Sequence, residues 1–420
     1  MKADPAASAD VTDQGHPRWV LIVVLGALST FGPISTDIYL PSLPSLAVDM
    51  HASTSLVQLS LTACVIGLAT GQLIAGPLSD RLGRRRPLLI GLAGFIVSSL
   101  LCALAPSIGI LIPLRVLQGL SGSAGLVISR AIVRDLYSGV VAARFFSRLM
   151  LVSGLAPIIA PIVGAQILRI TGWRGAFLFL GVFGVVLFLA AYFGAPETRP
   201  GGRRVPRRLG SGLAGFGRLL RDRQLVGYAL ASGLGFATMF AYISGSSFVI
   251  QDIYGGSPQL FSMVFATNAL GLVALGQVNG RMVGRIRLRV LFRTGLITNC
   301  LASLALVVGV VAGLRGMAPV LVPFFFVVAS QGLIMPNGMA LVMQSHPEAA
   351  GTASALVGFT QFLLGAIVAP LVGVGGSQTA LPLAIVMLSV AVAALAVALL
   401  TTRHPDPPAI RRILGQPLTG

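Results

Sequence analysis

The chain has 420 residues, of which 55% are hydrophobic and only 10% charged. With a mean hydropathy of +0.89, that composition excludes a water-soluble globular protein. The formal net charge of +18 invites a nucleic-acid reading, but the basic residues gather in alternate loops between apolar runs, so no nucleic-acid partner is expected.

Runs of about 20 apolar residues, the length that crosses a hydrocarbon core as helix, follow one another along the chain. They lie near 19–41, 56–78, 87–105, 107–129, 146–168, 174–195, 225–248, 259–280, 290–312, 317–338, 349–374 and 380–401. They do not alternate polar and apolar residues as barrel strands do. The expected class is therefore an all-α polytopic membrane protein with twelve transmembrane helices. A short polar leader precedes the first run, which reads as an uncleaved helix rather than a secretory signal. Arg81, Arg84, Arg85 and Arg86 follow the second run, Arg134, Arg144 and Arg148 the fourth, and Arg281, Arg285, Arg287 and Arg289 the eighth. The intervening loops hold little beyond Arg169, Arg174 and Arg315. The positive-inside rule then puts the arginine-rich loops and both termini in the cytoplasm, with the chain in the cell (inner) membrane.

The first run carries a carboxylate, Asp37, between Pro33 and Pro41. If the helix leaves the membrane near Leu43, Asp37 lies about 9 Å below the outer face, at 1.5 Å of rise per residue. Burial favours the neutral acid and a neighbouring arginine favours the carboxylate. Balanced between the two, Asp37 is a candidate proton carrier. After the second run comes Gly76-Pro77-Leu78-Ser79-Asp80-Arg81-Leu82-Gly83-Arg84-Arg85-Arg86. Gly76 is expected to allow close helix approach and Gly83 a tight turn, while Asp80 pairs with arginines or a helix N-terminus across the molecule as a releasable latch.

The fourth run holds Arg115, with Gln118, Gly119 and Gly122 after it. It is expected about 12 Å below the outer face, too deep to snorkel with ease. Asp37 and Arg115 thus form the expected proton-coupling pair, against an alternative in which they are purely structural. In the fifth run, Gly154, Pro157, Pro161 and Gly164 make a kinked helix with small residues for close packing. Cys64, Cys102 and Cys300 fall inside apolar runs and read as packing residues. No metal-ligand spacing occurs.

A basic linker, 197–224, divides the runs six and six. Its 216–220 portion fits a short surface helix on anionic lipid and a plain tether equally well. The expected organisation is a tail at 1–18, a six-helix half at 19–196, the linker, a second half at 225–402 and a tail at 403–420. The second half repeats the first. Gly276 to Arg285 echoes Gly76 to Arg84, with Gly280 in place of the acid; Gln331-Gly332-Leu333 echoes Gln118-Gly119-Leu120; and Ala369 to Gly373 echoes Ala160 to Gly164.

These motifs resemble those of the major facilitator superfamily: the loop between its second and third helices, its intramembrane arginine, and the Gly/Pro-rich helix of its antiporters, in which Ala160 and Ala165 here replace two glycines. Ser35-Thr36-Asp37-Ile38-Tyr39-Leu40-Pro41-Ser42-Leu43-Pro44 is similar to a segment of the Bcr/CflA group of drug-resistance transporters. So are Val133 to Tyr137, Tyr228 to Gly233 and Ala350 to Leu356. The resemblance implies a major facilitator fold with two six-helix halves and proton-driven drug export by alternating access, with Asp37 as the proton and cation site. Small amphipathic drug-like compounds and protons are the implied partners, the bilayer the solvent and a monomer the expected state.

Tyr39, Gln118, Met239, Phe240, Tyr242, Asn268, Asn337 and Gln361 are polar, aromatic or soft residues inside runs and are the expected substrate contacts. The alternative is a transporter of a physiological solute such as an amino acid or sugar. An enzyme is not expected: His16, His51, His346 and His404 all lie in tails or loops. No phosphate-binding Gly-x-x-x-x-Gly-Lys-Ser/Thr stretch points to ATP, and no cofactor is expected.

Overall fold

The computed structural model describes residues 18–137, 139–198, 222–345, 350–375 and 379–401. The helices follow the apolar runs closely. They are α1 Arg18–Leu28, α2 Phe31–Asp37, α3 Leu43–Asp49, α4 Thr54–Leu82, α5 Arg85–Ala103, α6 Ile108–Leu136, α7 Gly139–Thr171 and α8 Trp173–Gly194 in the first half. The second half holds α9 Arg223–Phe248, α10 Pro258–Met282, α11 Leu288–Val311, α12 Ala318–Ser345, α13 Ala350–Val372 and α14 Leu381–Thr401. Among the described residues, ten helices are long and apolar enough to cross a membrane. The first expected span is divided between α1 and α2 and ends in the 3-10 turn Leu40–Ser42, and the eleventh is α13, Ala350–Val372. Most of the linker, including 216–220, and most of both tails, with His16 and His404, lie outside the described residues, as does His346.

Proline chemistry explains why the first span breaks. A proline lacks the N–H that would bond the carbonyl four residues earlier. Pro33 thus leaves the Ser29 carbonyl without its helical donor, and α1 ends at Leu28. The Ser29 and Thr30 hydroxyls turn back onto the carbonyls of Leu25 at 2.9 Å and Ala27 at 2.7 Å. Pro41 likewise deprives the Asp37 carbonyl, where α2 ends, and Pro44 that of Leu40, in the 3-10 turn Leu40–Ser42.

Glycines set the spacing inside each half. A Cβ on Gly119 would stand 2.0 Å from the Cys64 carbonyl oxygen, and one on Gly67 would stand 2.1 Å from that of Val116. In the second half a Cβ on Gly332 would meet the Gly276 nitrogen at 2.6 Å, so the repeated Gln-Gly step performs the same packing twice. The repeated loops also share a turn, with φ of 89° at both Gly83 and Gly284. Gly76 does not carry the close approach expected of it. A Cβ there would meet Val127 at an ordinary 3.8 Å, and the tight crossing with α6 is made deeper in α4 by Gly67 and Gly71.

Candidate functional site

Asp37 is the last residue of α2, so it stands at the break in the first span. It is 5% exposed, and its Oδ1 accepts one hydrogen bond, 2.7 Å from the Thr36 hydroxyl. Among the described residues no ion pair reaches it. A carboxyl group so placed changes charge at a cost set by its surroundings.

Arg115 is 0% exposed and does not pair with Asp37. Its guanidinium carbon lies 4.6 Å from the centre of the Tyr39 ring and 5.4 Å from that of Phe177. It donates to Gln118 Oε1 at 2.5 Å, to the Ser35 carbonyl at 3.0 Å and to the Ser60 carbonyl at 3.4 Å. Gln118 in turn donates to Ser99 Oγ at 2.8 Å, and the Tyr39 and Ser60 hydroxyls are 2.6 Å apart. A desolvated cation–π contact is worth roughly 2 kcal/mol, so rings and carbonyls together replace a counter-ion. The direct balance expected between Arg115 and Asp37 is corrected accordingly. Arginine acts on the segment that carries the carboxylate, through the carbonyl of Ser35, because its planar fork is already filled.

Just beyond Asp37, the second half takes hold of the first. Ser247 Oγ donates to the Leu40 carbonyl at 2.8 Å, which also accepts from the Leu43 N–H, and Gln251 Nε2 donates to the Pro41 carbonyl at 3.0 Å. Around them, Gln58 donates to the Ser244 carbonyl at 3.2 Å, and Ser262 to that of Pro161 at 2.8 Å. Thr62 and Gln259 add longer bonds of 3.4 Å to the carbonyls of Ala366 and Ala165. All join a side chain of one half to main-chain oxygen of the other, and all lie away from the arginine-rich loops. Gly164 packs beside this seam but within the first half: a Cβ there would stand 1.8 Å from the Ile38 carbonyl oxygen. Among the described residues, Gly154, in contrast, has no atom within 4 Å of that position. None of these donors was singled out from the sequence. Only two of the acceptors carried a signal: Pro44 and Pro370 stand four residues after Leu40 and Ala366 and remove their α-helical donor.

The family model of the Major Facilitator Superfamily matches residues 25–370 and, again, 250–416. The chain belongs to the major facilitator superfamily. It is a transporter rather than an enzyme, and a multi-pass membrane protein. An uncharacterized MFS-type transporter of Bacillus subtilis, YdgK, is 43% identical over 90% of this chain and 94% of its own length. A bicyclomycin resistance protein homolog of Haemophilus influenzae is 32% identical over 93% and 98%. A chloramphenicol resistance protein of Pseudomonas aeruginosa is 30% identical over 84% and 82%. Among solved structures, a bacterial homolog of the human lysosomal transporter Spinster has the same fold, with a TM-score of 0.75 at 15% identity over 93% of this chain and 98% of that one.

The superfamily loop forms an ionic cluster within the first half. Arg84 meets Asp80 at 2.8 Å and Asp135 at 2.7 Å, and it donates to Ser79 Oγ at 2.7 Å. Glu197, just past α8, accepts from the main-chain N–H of Arg84 at 2.9 Å and of Arg85 at 3.1 Å. Burial weighs against the Arg84 charge, but the carboxylates of Asp135 and Asp80 outweigh it and hold the pKa above the ordinary arginine value. Arg81 is exposed. In the second loop, where Gly280 brings no acid, Asn279 instead accepts from Asn337 at 2.7 Å.

Of the expected substrate contacts, Met239 is half-buried, while Phe240, Tyr242, Asn268, Asn337 and Gln361 are buried. Tyr39 and Gln118 are committed to the Arg115 cage. Phe236, Phe240 and Phe362 pack together with Met239 and Met335 into an apolar cluster, with ring centres 6.0 Å and 5.7 Å apart from that of Phe236.

Proposed function

We propose that the chain exports small amphipathic drug-like compounds in exchange for protons, by alternating access, with the arginine-rich end and both termini facing the cytoplasm. The observation that carries this reading is the position of Asp37. It is buried at a break in the first span, and the cross-half bonds to Leu40 and Pro41 separate it from the end opposite the arginine-rich loops. A seal that opens would expose the same carboxyl to the other side, which is what exchange of a proton for a solute requires. The relatives named for bicyclomycin and chloramphenicol resistance support a drug as the solute. The Phe and Met cluster supports an apolar and adaptable contact surface.

The test uses inside-out vesicles with an acid interior and a pH-sensitive dye, to which chloramphenicol, bicyclomycin and a lipophilic cation are added in turn. Proton release by the wild type that is lost in Asp37→Asn is the expected result. Equal release by both would leave Asp37 structural. No response to any of the compounds would move the physiological-solute reading ahead.

A further inference from the structure

The loop after α4 and its echo after α10 share a glycine turn but differ in how their charge is met. In the first, it is matched within the protein. Arg84 meets Asp80 and Asp135, Glu197 accepts from the main-chain N–H groups of Arg84 and Arg85, and the Arg85 guanidinium carbon lies 5.1 Å from the centre of the Tyr192 ring. In the second, Gly280 stands where the first has Asp80. The described part of the second half holds two acids, Asp222 and Asp252. Asp222 caps α9, accepting from the N–H groups of Gln224 and Leu225 at 2.8 Å and 3.2 Å, and Asp252 lies at the other end of that helix, past Gln251 and the seam.

Arg281, Arg285 and Arg287 are exposed, and among the described residues no side-chain hydrogen bond or ion pair reaches any of them. They share one short turn. The chain reverses between Met282, where α10 ends, and Leu288, where α11 begins; the N–H groups of Arg285 and Ile286 both donate to the Met282 carbonyl, at 3.0 Å and 2.9 Å, and Gly284 takes a φ of 89°. Both helices are long and apolar enough to cross a membrane, which puts the turn at the bilayer surface. Beside the arginines, Val283 and Val290 are 44% and 50% exposed. Guanidinium forks match phosphate oxygens, and their apolar neighbours match the chains below a headgroup.

We propose that this turn binds an anionic phospholipid: Arg281, Arg285 and Arg287 hold the headgroup phosphate by charge-assisted hydrogen bonds, while Val283 and Val290 meet the acyl chains. The lipid supplies the negative charge that Asp80 supplies in the first loop, and it fastens the second half to the membrane surface. The site needs a bilayer and no particular transported solute.

Phosphatidylglycerol is titrated onto the full chain in detergent, and the lipid retained is counted by native mass spectrometry. The triple variant Arg281→Gln, Arg285→Gln, Arg287→Gln is expected to bind about a hundredfold more weakly, about fivefold for each arginine lost. Gly280→Asp keeps every arginine and returns the missing acid, at a position where no described atom stands within 4 Å of the added Cβ; it is expected to weaken binding about fivefold. The pair Arg81→Gln, Arg86→Gln, exposed in the first loop, is expected to leave binding within about twofold of the wild type. Unchanged binding in the triple variant, or equal weakening by the first-loop pair, would overturn the proposal in favour of general surface charge. Glycerol phosphate that binds as tightly as the lipid would replace the lipid with a free phosphate ligand.

Discussion

The two ends of the molecule are held by different chemistry. At the arginine-rich end, Arg84, Asp80, Asp135 and Glu197 of the first half bind one another through charge. At the opposite end, neutral Ser, Thr and Gln side chains of one half bind main-chain carbonyls of the other. Arg84 is buried, so its ionic hydrogen bonds are costly to break one at a time, which suits a cluster that keeps one half rigid. A neutral hydrogen bond is worth only about 1 kcal/mol net, because water replaces it readily. That suits a seam made and released on every cycle. In the proposed alternating access, the ion pairs would belong to the rigid body of one half and the carbonyl bonds to the gate between the halves.

The largest expected effect concerns the anchor beneath the gate. Arg115→Lys keeps the charge but loses the planar stack on Tyr39 and Phe177 and much of the fork that reaches Gln118, Ser35 and Ser60. A stability loss of about 2–4 kcal/mol is expected, seen as earlier melting in detergent; unchanged melting would show that the cage holds nothing. Gly164→Val comes next. Its side chain has no room beside the Ile38 carbonyl, and overpacking of this kind costs about 1–3 kcal/mol. Transport is expected to fall at least fivefold with the folded fraction preserved, whereas Gly154→Val, where no atom of the described residues stands within 4 Å, leaves it unchanged.

Ser247→Ala removes one bond of the seam, about 1 kcal/mol. Amide exchange over residues 38–46 is expected to quicken about fivefold, the Boltzmann equivalent of that loss. Removing Arg84 contacts by Asp135→Asn should leave exchange over those residues unaffected, and a rise there too would erase the distinction between the ends. The smallest effect lies at the surface. The Trp173 indole N–H and the Arg174 guanidinium donate to Asp49 and hold its pKa below the ordinary carboxylate range. The contact is therefore fully present above that range and is lost as the pH falls through the depressed value. Trp173 fluorescence in a Trp19→Phe background should stay flat through the ordinary carboxylate range and change only below it. A change within or above that range would contradict the assignment.

Much of this architecture was legible in the residues. The expected run at 225–248 is the helix Arg223–Phe248, and that at 380–401 is Leu381–Thr401, because apolar length is dictated by the bilayer and needs no tertiary knowledge. The turn at Gly83 was legible for a similar reason: a positive φ selects glycine locally. The relation of Arg115 to Asp37 was not. Counting residues along two helices gives depth, but the direction in which each side chain leaves its helix depends on packing partners such as Phe177, which no local pattern announces. Ser247 and Gln251 were hidden in the same way, since one hydroxyl or amide in an apolar run resembles any other until its acceptor is known.

The central claim is that the seam at Leu40 and Pro41 opens and closes during transport. The most direct measurement replaces Cys64, Cys102 and Cys300 with serine, introduces Ser247→Cys and follows its labelling by a membrane-impermeant thiol reagent added outside, with Asp252→Cys as the exposed reference. Slow labelling without drug, rising severalfold when chloramphenicol or bicyclomycin is supplied from the inside, is the predicted result. Labelling as fast as the reference without drug, or at a rate that neither compound alters, would contradict it.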